Sequence, residues 1–261
     1  MIIQYCSDLH LEFRENEKFL KQNPIQPTGE ILILAGDILP FALQHKFNWF
    51  FDYLSDNFQH TYWIPGNHEY YNNSIDNFKF PLHEKIKDNV SLLNNQVVIY
   101  KNVELIFSTL WGHISVPNHL VIERSVSDFS LIKCNGKKLT PIDFNQLHKT
   151  DLAFIKSALA VKSDNQRIII THHVPTLQNY PSQYKNSNIN EAFAVELYDF
   201  IFESQANYWI YGHHHTNTNT PGFKIGNTTL LTNQLGYVQQ NEHKLYCSNA
   251  VIKIDRSQNN K

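Results

Sequence analysis

Cysteine is scarce in this 261-residue chain: there are three, Cys6, Cys134 and Cys247, odd in number and far apart. That argues against a disulfide framework or a C-x-x-C zinc site and fits a reducing compartment. Long apolar runs are missing as well, with nothing near the roughly 18 consecutive apolar residues that a membrane span needs. The opening M-I-I-Q-Y-C-S-D has neither the basic nor the long apolar segment of a signal peptide, so a cytoplasmic location is expected. Nor is there a surplus of positive charge. Lys and Arg total 22 against 24 Asp and Glu, a net charge of −2, and no global field attracts nucleic acid or an anionic membrane. A local positive centre made by bound metal would escape that sum. The 9 Gly and 10 Pro are scattered, and no repeat or linker divides the chain, so one domain over residues 1–261 is expected.

What the chain does contain is apolar mass: 42% of residues, 13% aromatic, enough for a substantial core. Ile2–Cys6 is a short apolar-biased run, and Ile31–Ala35 is continuously apolar, as befits a strand buried on both faces. Phe47, Phe50, Phe51 and Leu54 share one helical face before the next strand, Thr61–Ile64. Val97–Tyr100 and Val103–Ser108 read as a hairpin turning at Lys101-Asn102. Residues 112–139 show weak periodicity and read as a long loop excursion. Thr140, Pro141 and Asp143 supply helix-start chemistry for a face of Phe144, Leu147, Leu152, Ile155 and Leu159. Arg167–Thr171 is the next strand, and 174–187 a loop. Asn188 and Glu191 have capping-box spacing before a helix using Phe193, Leu197, Phe200 and Ile201. Tyr208–Tyr211 and runs around 222–225, 228–232 and 246–254 are β-rich. Strand–helix alternation followed by hairpins predicts an α/β fold, a pair of mixed sheets flanked by helices.

Seven potential metal ligands fall in five short pieces of this pattern: Asp8 and His10 in S-D-L-H, Asp37 in A-G-D, Asn67 in G-N-H-E, His172 in T-H-H, and His213 with His215 in G-H-H-H. Singly each is weak. An Asp after a strand commonly caps the next helix, Asn in P-G-N suits a left-handed turn, and a His tract can chelate adventitiously. Together they are stronger, because open α/β sheets carry their ligands at the carboxyl ends of strands. Six of the seven follow a predicted strand, with His215 two residues beyond. The inventory suffices for two cations sharing one carboxylate, typically ~3.5–4 Å apart, which clamp the oxygens of an in-line displacement at phosphorus. Carboxylate, imidazole and amide ligands without thiolate suit Mn, Fe, Zn or Co better than Ca or a structural zinc.

In this order, D-L-H, G-D, G-N-H-E, T-H and G-H-H-H resemble the calcineurin-like metallophosphoesterase superfamily, over residues 8 to 215. The resemblance implies a four-layer α/β/β/α sandwich with a centre of two divalent or trivalent ions, Mn, Fe or Zn, at the sheet edge. By the same resemblance Asp8, His10 and His215 hold the first ion, Asn67, His172 and His213 the second, and Asp37 bridges. The catalytic residue would be His68, beside the leaving group, and a metal-bound hydroxide the nucleophile. The chain departs from the superfamily's protein phosphatases, which continue G-D-x-V-D-R-G. Here G-D-I-L-P-F puts Pro40 where the acid orienting His68 would stand and Phe41 in place of a phosphate-binding Arg. His68 itself stands where the superfamily's lipid A precursor hydrolases carry Arg.

The expected activity is hydrolysis of a small phosphate monoester or diester. Trp111, His113, His119, Arg124 and Lys133, with Tyr70, Tyr71, Tyr180, Tyr184 and Lys185, are candidates to line a substrate pocket. Arg124, whose fork suits phosphate oxygens, and Tyr70 are the chosen contacts. Two other readings compete: a nuclease, against which the charge balance counts, and a non-catalytic interaction module on the same scaffold, against which the complete ligand set counts. The oligomeric state is left open.

Overall fold

Two sets of parallel strands, each edged by antiparallel ones, organise the computed structural model, which describes residues 1–217 and 222–254. In chain order come β1 (Ile2–Cys6), α1 (Arg14–Gln22), β2 (Ile31–Ala35), α2 (Asn48–Asn57) and β3 (His60–Ile64). Next are β4 (Asn73–Ser74), β5 (Leu82–Lys87), β6 (Val90–Asn94), β7 (Gln96–Tyr100) and β8 (Val103–Phe107). The middle holds α3 (His119–Ser125), α4 (Asp128–Leu131), β9 (Ile132–Cys134), β10 (Lys137–Lys138) and α5 (Pro141–Ala160). The rest is β11 (Gln166–Ile170), α6 (Tyr198–Ser204), β12 (Tyr208–Ile210), β13 (Phe223–Ile225), β14 (Thr228–Leu231) and β15 (Val251–Lys253). One six-stranded sheet runs β15-β1-β2-β3-β6-β5 and the other β13-β14-β12-β11-β8-β7. In each, the four central strands are parallel and both edges antiparallel.

The layers follow from side-chain alternation. Ile31, Ile33 and Ala35 of β2 face the layer between the sheets, with Ile3, Phe107, Ile168 and Ile210. Leu32 and Leu34 turn the other way, onto Leu20 of α1 and Phe50, Phe51 and Leu54 of α2. Both faces of β2 are therefore buried, the physical reason for its unbroken apolar run. On the far side Ile106, Ile169 and Trp209 meet Ile155 of α5 and Ile201 of α6. Helix, sheet, sheet and helix thus stack as expected, and no helix among the described residues is long and apolar enough to cross a membrane. The predicted start of α5 is a reciprocal cap: Asp143 N donates to Thr140 Oγ1 at 3.2 Å and Thr140 N to Asp143 Oδ2 at 3.1 Å.

Two expectations need correcting. Residues 112–139 are not a bare loop but carry α3, α4, β9 and β10, and β9 pairs with β4 and β10 in a third, three-stranded sheet. These elements span two to seven residues, too few to print a period on the sequence, and α3 leaves Leu120 and Val121 exposed while burying Ile122. The helix expected after Glu191 starts only at Tyr198, preceded by a single tight turn at Asn190–Ala192. Glu191 accepts the Ser115 N–H at 2.7 Å, which ties the two long segments together across the sequence. The β5–β6 hairpin went unforeseen because β5, L-H-E-K-I-K, is an exposed, charged edge strand.

Candidate metal centre

The parallel strands β1, β2, β3, β11 and β12 end at one rim of the sandwich. Asp8, Asp37, Asn67, His172 and His213 stand two or three residues beyond the ends of those five strands. Their turns are sharp. Asp8, His10, Asp37, His213 and His215 have φ of 55°, 46°, 54°, 79° and 50°, the left-handed region. Such conformations cost about 1–3 kcal/mol each for residues with a side chain and persist only where the surroundings over-determine them. Here the loops pin one another: Asp8 N donates to Gly36 O at 2.9 Å, His10 N to Asp37 O at 3.0 Å, and Gly212 N to His172 O at 2.9 Å. Close approach also demands glycine. At Gly36, with φ 89°, a Cβ would lie 2.3 Å from His172 Nδ1, and at Gly66 it would lie 2.2 Å from Asp37 Oδ1.

All seven residues named from the sequence meet at this rim. Asp8, His10, Asp37 and His215 form one group of donors and Asp37, His172 and His213 another, each within 4.8 Å. His10 Nε2 faces His215 Nε2 at 2.9 Å, and His215 Nε2 lies 3.3 Å from Asp8 Oδ1. In the second group His172 Nε2 faces His213 Nδ1 at 3.1 Å. Asp37 belongs to both: its Oδ2 is 3.8 Å from His10 Nε2 and 3.4 Å from His172 Nε2. Asn67 Nδ2 donates to Asp128 Oδ1 at 2.8 Å, while Asn67 Oδ1 is buried without a hydrogen bond. A carboxylate only accepts, so Asp128 turns the amide nitrogen outward and leaves the oxygen for another partner. An orphaned buried acceptor beside crowded imidazoles and carboxylates is what a cation site requires.

The imidazoles are held from behind. His10 Nδ1 pairs with Glu12 Oε1 at 3.2 Å, His172 Nδ1 with Ala35 O at 2.9 Å, and His215 Nδ1 with Glu242 Oε2 at 2.8 Å. Such outer partners fix the tautomer and aim Nε2 inward. Burial works against charge on His172 and His215, yet Asp37 and Asp8 prevail and raise them to about 9 and about 10. Against the same burial, His215 holds Asp8 below the usual carboxylate range and His172 holds Asp37 well below it. Glu69 lies behind the loops and accepts N–H groups from Asp37, Ile38, Trp63 and Gly66 at 2.7–3.0 Å. Burial pushes its carboxyl up to about 8, but four donors occupy all its lone pairs and fit the ionised form. Sequence reading missed Glu12, Asp128 and Glu242 as supports; only Glu12, two residues past His10, carried a local signal.

A model of the calcineurin-like phosphoesterase family matches residues 1–217. The chain belongs to that family. It is 34% identical to an uncharacterized protein of Acanthamoeba polyphaga mimivirus over 98% of this chain and 97% of the relative. Among solved structures, a phosphopantetheinyl hydrolase from Mycobacterium tuberculosis superposes with a TM-score of 0.69, at 17% identity, covering 97% of this chain and 96% of that one. A dimetal phosphatase from Danio rerio gives 0.48 at 12% identity, covering 90% and 87%. Membership of the calcineurin-like phosphoesterase family makes the chain a metal-dependent phosphoric ester hydrolase.

His68 lies beside the donor groups. Its backbone N–H donates to Asp37 Oδ1 at 2.9 Å, and its Nδ1 pairs with Glu12 Oε1 at 2.8 Å. Glu12 thus reaches the His68 ring from the β1 loop, while Pro40 of the β2 loop has no side-chain acceptor to offer it. Tyr71 stacks on the His68 ring at 4.1 Å. A cavity of about 680 Å³ opens on Asp37, Asn67, His68, His213 and His215. Neither of the two expected contacts lines this cavity. Tyr70 is 1% exposed in the core beside Phe78 and Trp111, and Arg124 is an exposed residue of α3 that does not line the cavity. Of the Tyr pair it is Tyr71 that lines the cavity, because the tight turn at His68–Tyr70 sends consecutive side chains apart. Tyr180 and Tyr184 do line it. His214, the middle of the triple, turns to Gln234 Nε2 at 2.8 Å, and His173 packs against Trp111.

Proposed function

We propose that Asp8, His10 and His215 hold one divalent ion and Asn67, His172 and His213 a second, with Asp37 bridging, and that the centre hydrolyses a small phosphate monoester or diester. The observation that carries this is the position of Asp37 Oδ2 between His10 Nε2 and His172 Nε2, 3.8 and 3.4 Å away. Mn, Fe or Zn suits the donor set. Bound there, the ions would neutralise phosphoryl oxygens and make a water acidic enough to attack near neutral pH.

The chain's own residues do the rest. Ser7 Oγ and the His213 N–H bond to Asp8 at 2.5 and 3.0 Å, which keeps that carboxylate oriented and ionised. His68, with Nδ1 committed to Glu12, presents Nε2 to the ester. Burial opposes charge on this ring, but Asp37 and Glu12 outweigh it and raise its pKa. It is therefore suited to protonate the departing alkoxide. Phe41 packs on Trp63, Tyr70 and Phe78, so the β2 loop offers the phosphate no guanidinium. Purified protein supplied with Mn should turn over p-nitrophenyl phosphate or bis(p-nitrophenyl) phosphate, and Asp37→Ala and His68→Ala should each abolish or cripple that turnover. Unchanged rates in both variants would refute the assignment.

A further inference from the structure

We infer that the cavity beside the metal centre receives the organic part of the ester, and that this part is largely apolar and carries no negative charge of its own. The inference rests on the phosphoesterase reading of the donor groups. The cavity shares Asp37, Asn67 and His68 with that centre, so an ester whose phosphorus sits there must extend its substituent into this space. At about 680 Å³ it falls in the range that encloses a whole organic ligand rather than a methyl or glyceryl group.

Its walls are apolar and aromatic. Phe13, Leu43 and Leu131 line it, with Tyr180, Tyr184 and Ile189 from the loop after β11. The lining carboxylates Glu12, Asp128 and Glu242 are each already engaged at the centre, with His10 and His68, with Asn67 and Tyr71, and with His215. Among the described lining residues there is no lysine or arginine. The ions would compensate one phosphate at the centre. A second anion farther out would lose its water and meet apolar walls, with no lysine or arginine among the described lining residues to pair with. A nucleoside polyphosphate or a nucleic acid strand brings such anions at every step; an uncharged aryl, alkyl or amide substituent does not.

The test is a matched pair of diesters, p-nitrophenyl para-carbamoylphenyl phosphate and p-nitrophenyl para-carboxyphenyl phosphate. They share a leaving group and a shape and differ by one charge. With the Mn-loaded full chain, kcat/KM should be at least about tenfold lower for the carboxylate, through electrostatic and desolvation terms. Ser127→Arg and, independently, Ser187→Arg place a cation at the cavity lining and should shrink that ratio. Ser127 is exposed and Ser187 half-buried, so neither change disturbs the core. Equal kcat/KM for the two esters, or a ratio that neither arginine moves, would overturn this inference and leave the phosphoesterase reading standing. Turnover of neither ester, nor of p-nitrophenyl phosphate, would overturn both.

Discussion

The floor and the walls of this site are built by opposite means. The floor is a set of short turns at parallel strand ends, with five donors in left-handed backbone and imidazoles braced from behind by Glu12, Ala35 and Glu242. The walls come from long segments of short elements: residues of 125–131, the loop after β11, and the stretch from Tyr237 to Glu242. Strained, over-determined backbone holds chemistry to sub-ångström tolerance, whereas surface segments on a rigid scaffold can change shape without disturbing it. Chemistry should therefore fail through the floor, and selectivity through the walls.

The largest break in that comparison is expected at Asp37. Asp37→Asn removes the one negative charge shared by the two donor groups and should cost bound metal as well as turnover. Metal analysis of the purified variant together with kcat checks it; full metal content with a normal rate would remove Asp37 from the bridge. Next comes the dyad of Glu12 and His68. His68→Ala should lose roughly 10²–10⁴-fold in kcat, the usual share of a general acid. Glu12→Gln should lose less, about tenfold, and more on alkyl esters than on p-nitrophenyl esters, whose leaving group scarcely needs a proton. A loss equal on both kinds of ester would make Glu12 a brace for the loop alone.

Glu242 and the pH axis sharpen the contrast at intermediate size. Glu242→Ala removes the outer partner of His215 and should weaken metal binding about 10–100-fold while leaving kcat at saturating metal close to the parent. His172 at about 9 and His215 at about 10 exceed the ~6.5 of an unfolded histidine. A raised histidine pKa means that the fold binds these protons more tightly than the unfolded chain does. Their stabilisation is complete below about pH 6.5 and lost as pH rises through about 9 to 10. Metal needs the neutral rings, so over that window metal binding should tighten as the chelator-treated fold weakens. Thermal midpoints with and without Mn should diverge as pH rises; midpoints that stay parallel would contradict the proton competition.

The floor was legible in the sequence and the walls were not, for a physical reason. Asp8, Asp37, Asn67, His172 and His213 each follow an apolar run that announces its own strand, so topology alone carries them to one rim. The pair of mixed sheets flanked by helices was legible in the strand–helix alternation, and the continuous run at Ile31–Ala35 fits a strand covered on both faces. The four-layer stacking, by contrast, is what the family resemblance implies. Nothing comparable announces α3, α4 or β9, whose lengths of three to seven residues leave no period to read. Asp128 could not be linked to Asn67 from a separation of 61 residues, and Tyr71 could not be told from Tyr70 without the turn between His68 and Tyr70.

The smallest effect should come from the wall residue Tyr184. Its side chain is 36% exposed and borders the cavity, so its removal opens no core and touches no donor. Tyr184→Ala should leave metal content and kcat near the parent and raise KM a few-fold for an aryl diester, the size expected for losing part of one aromatic contact worth about 0.5–1.5 kcal/mol. For p-nitrophenyl phosphate, too small to reach the wall, KM should barely move. The two substrates together decide the matter. A KM rise on both would place Tyr184 with the phosphate, a fall in kcat would place it with the floor, and a change confined to the aryl diester assigns it to substrate selection alone.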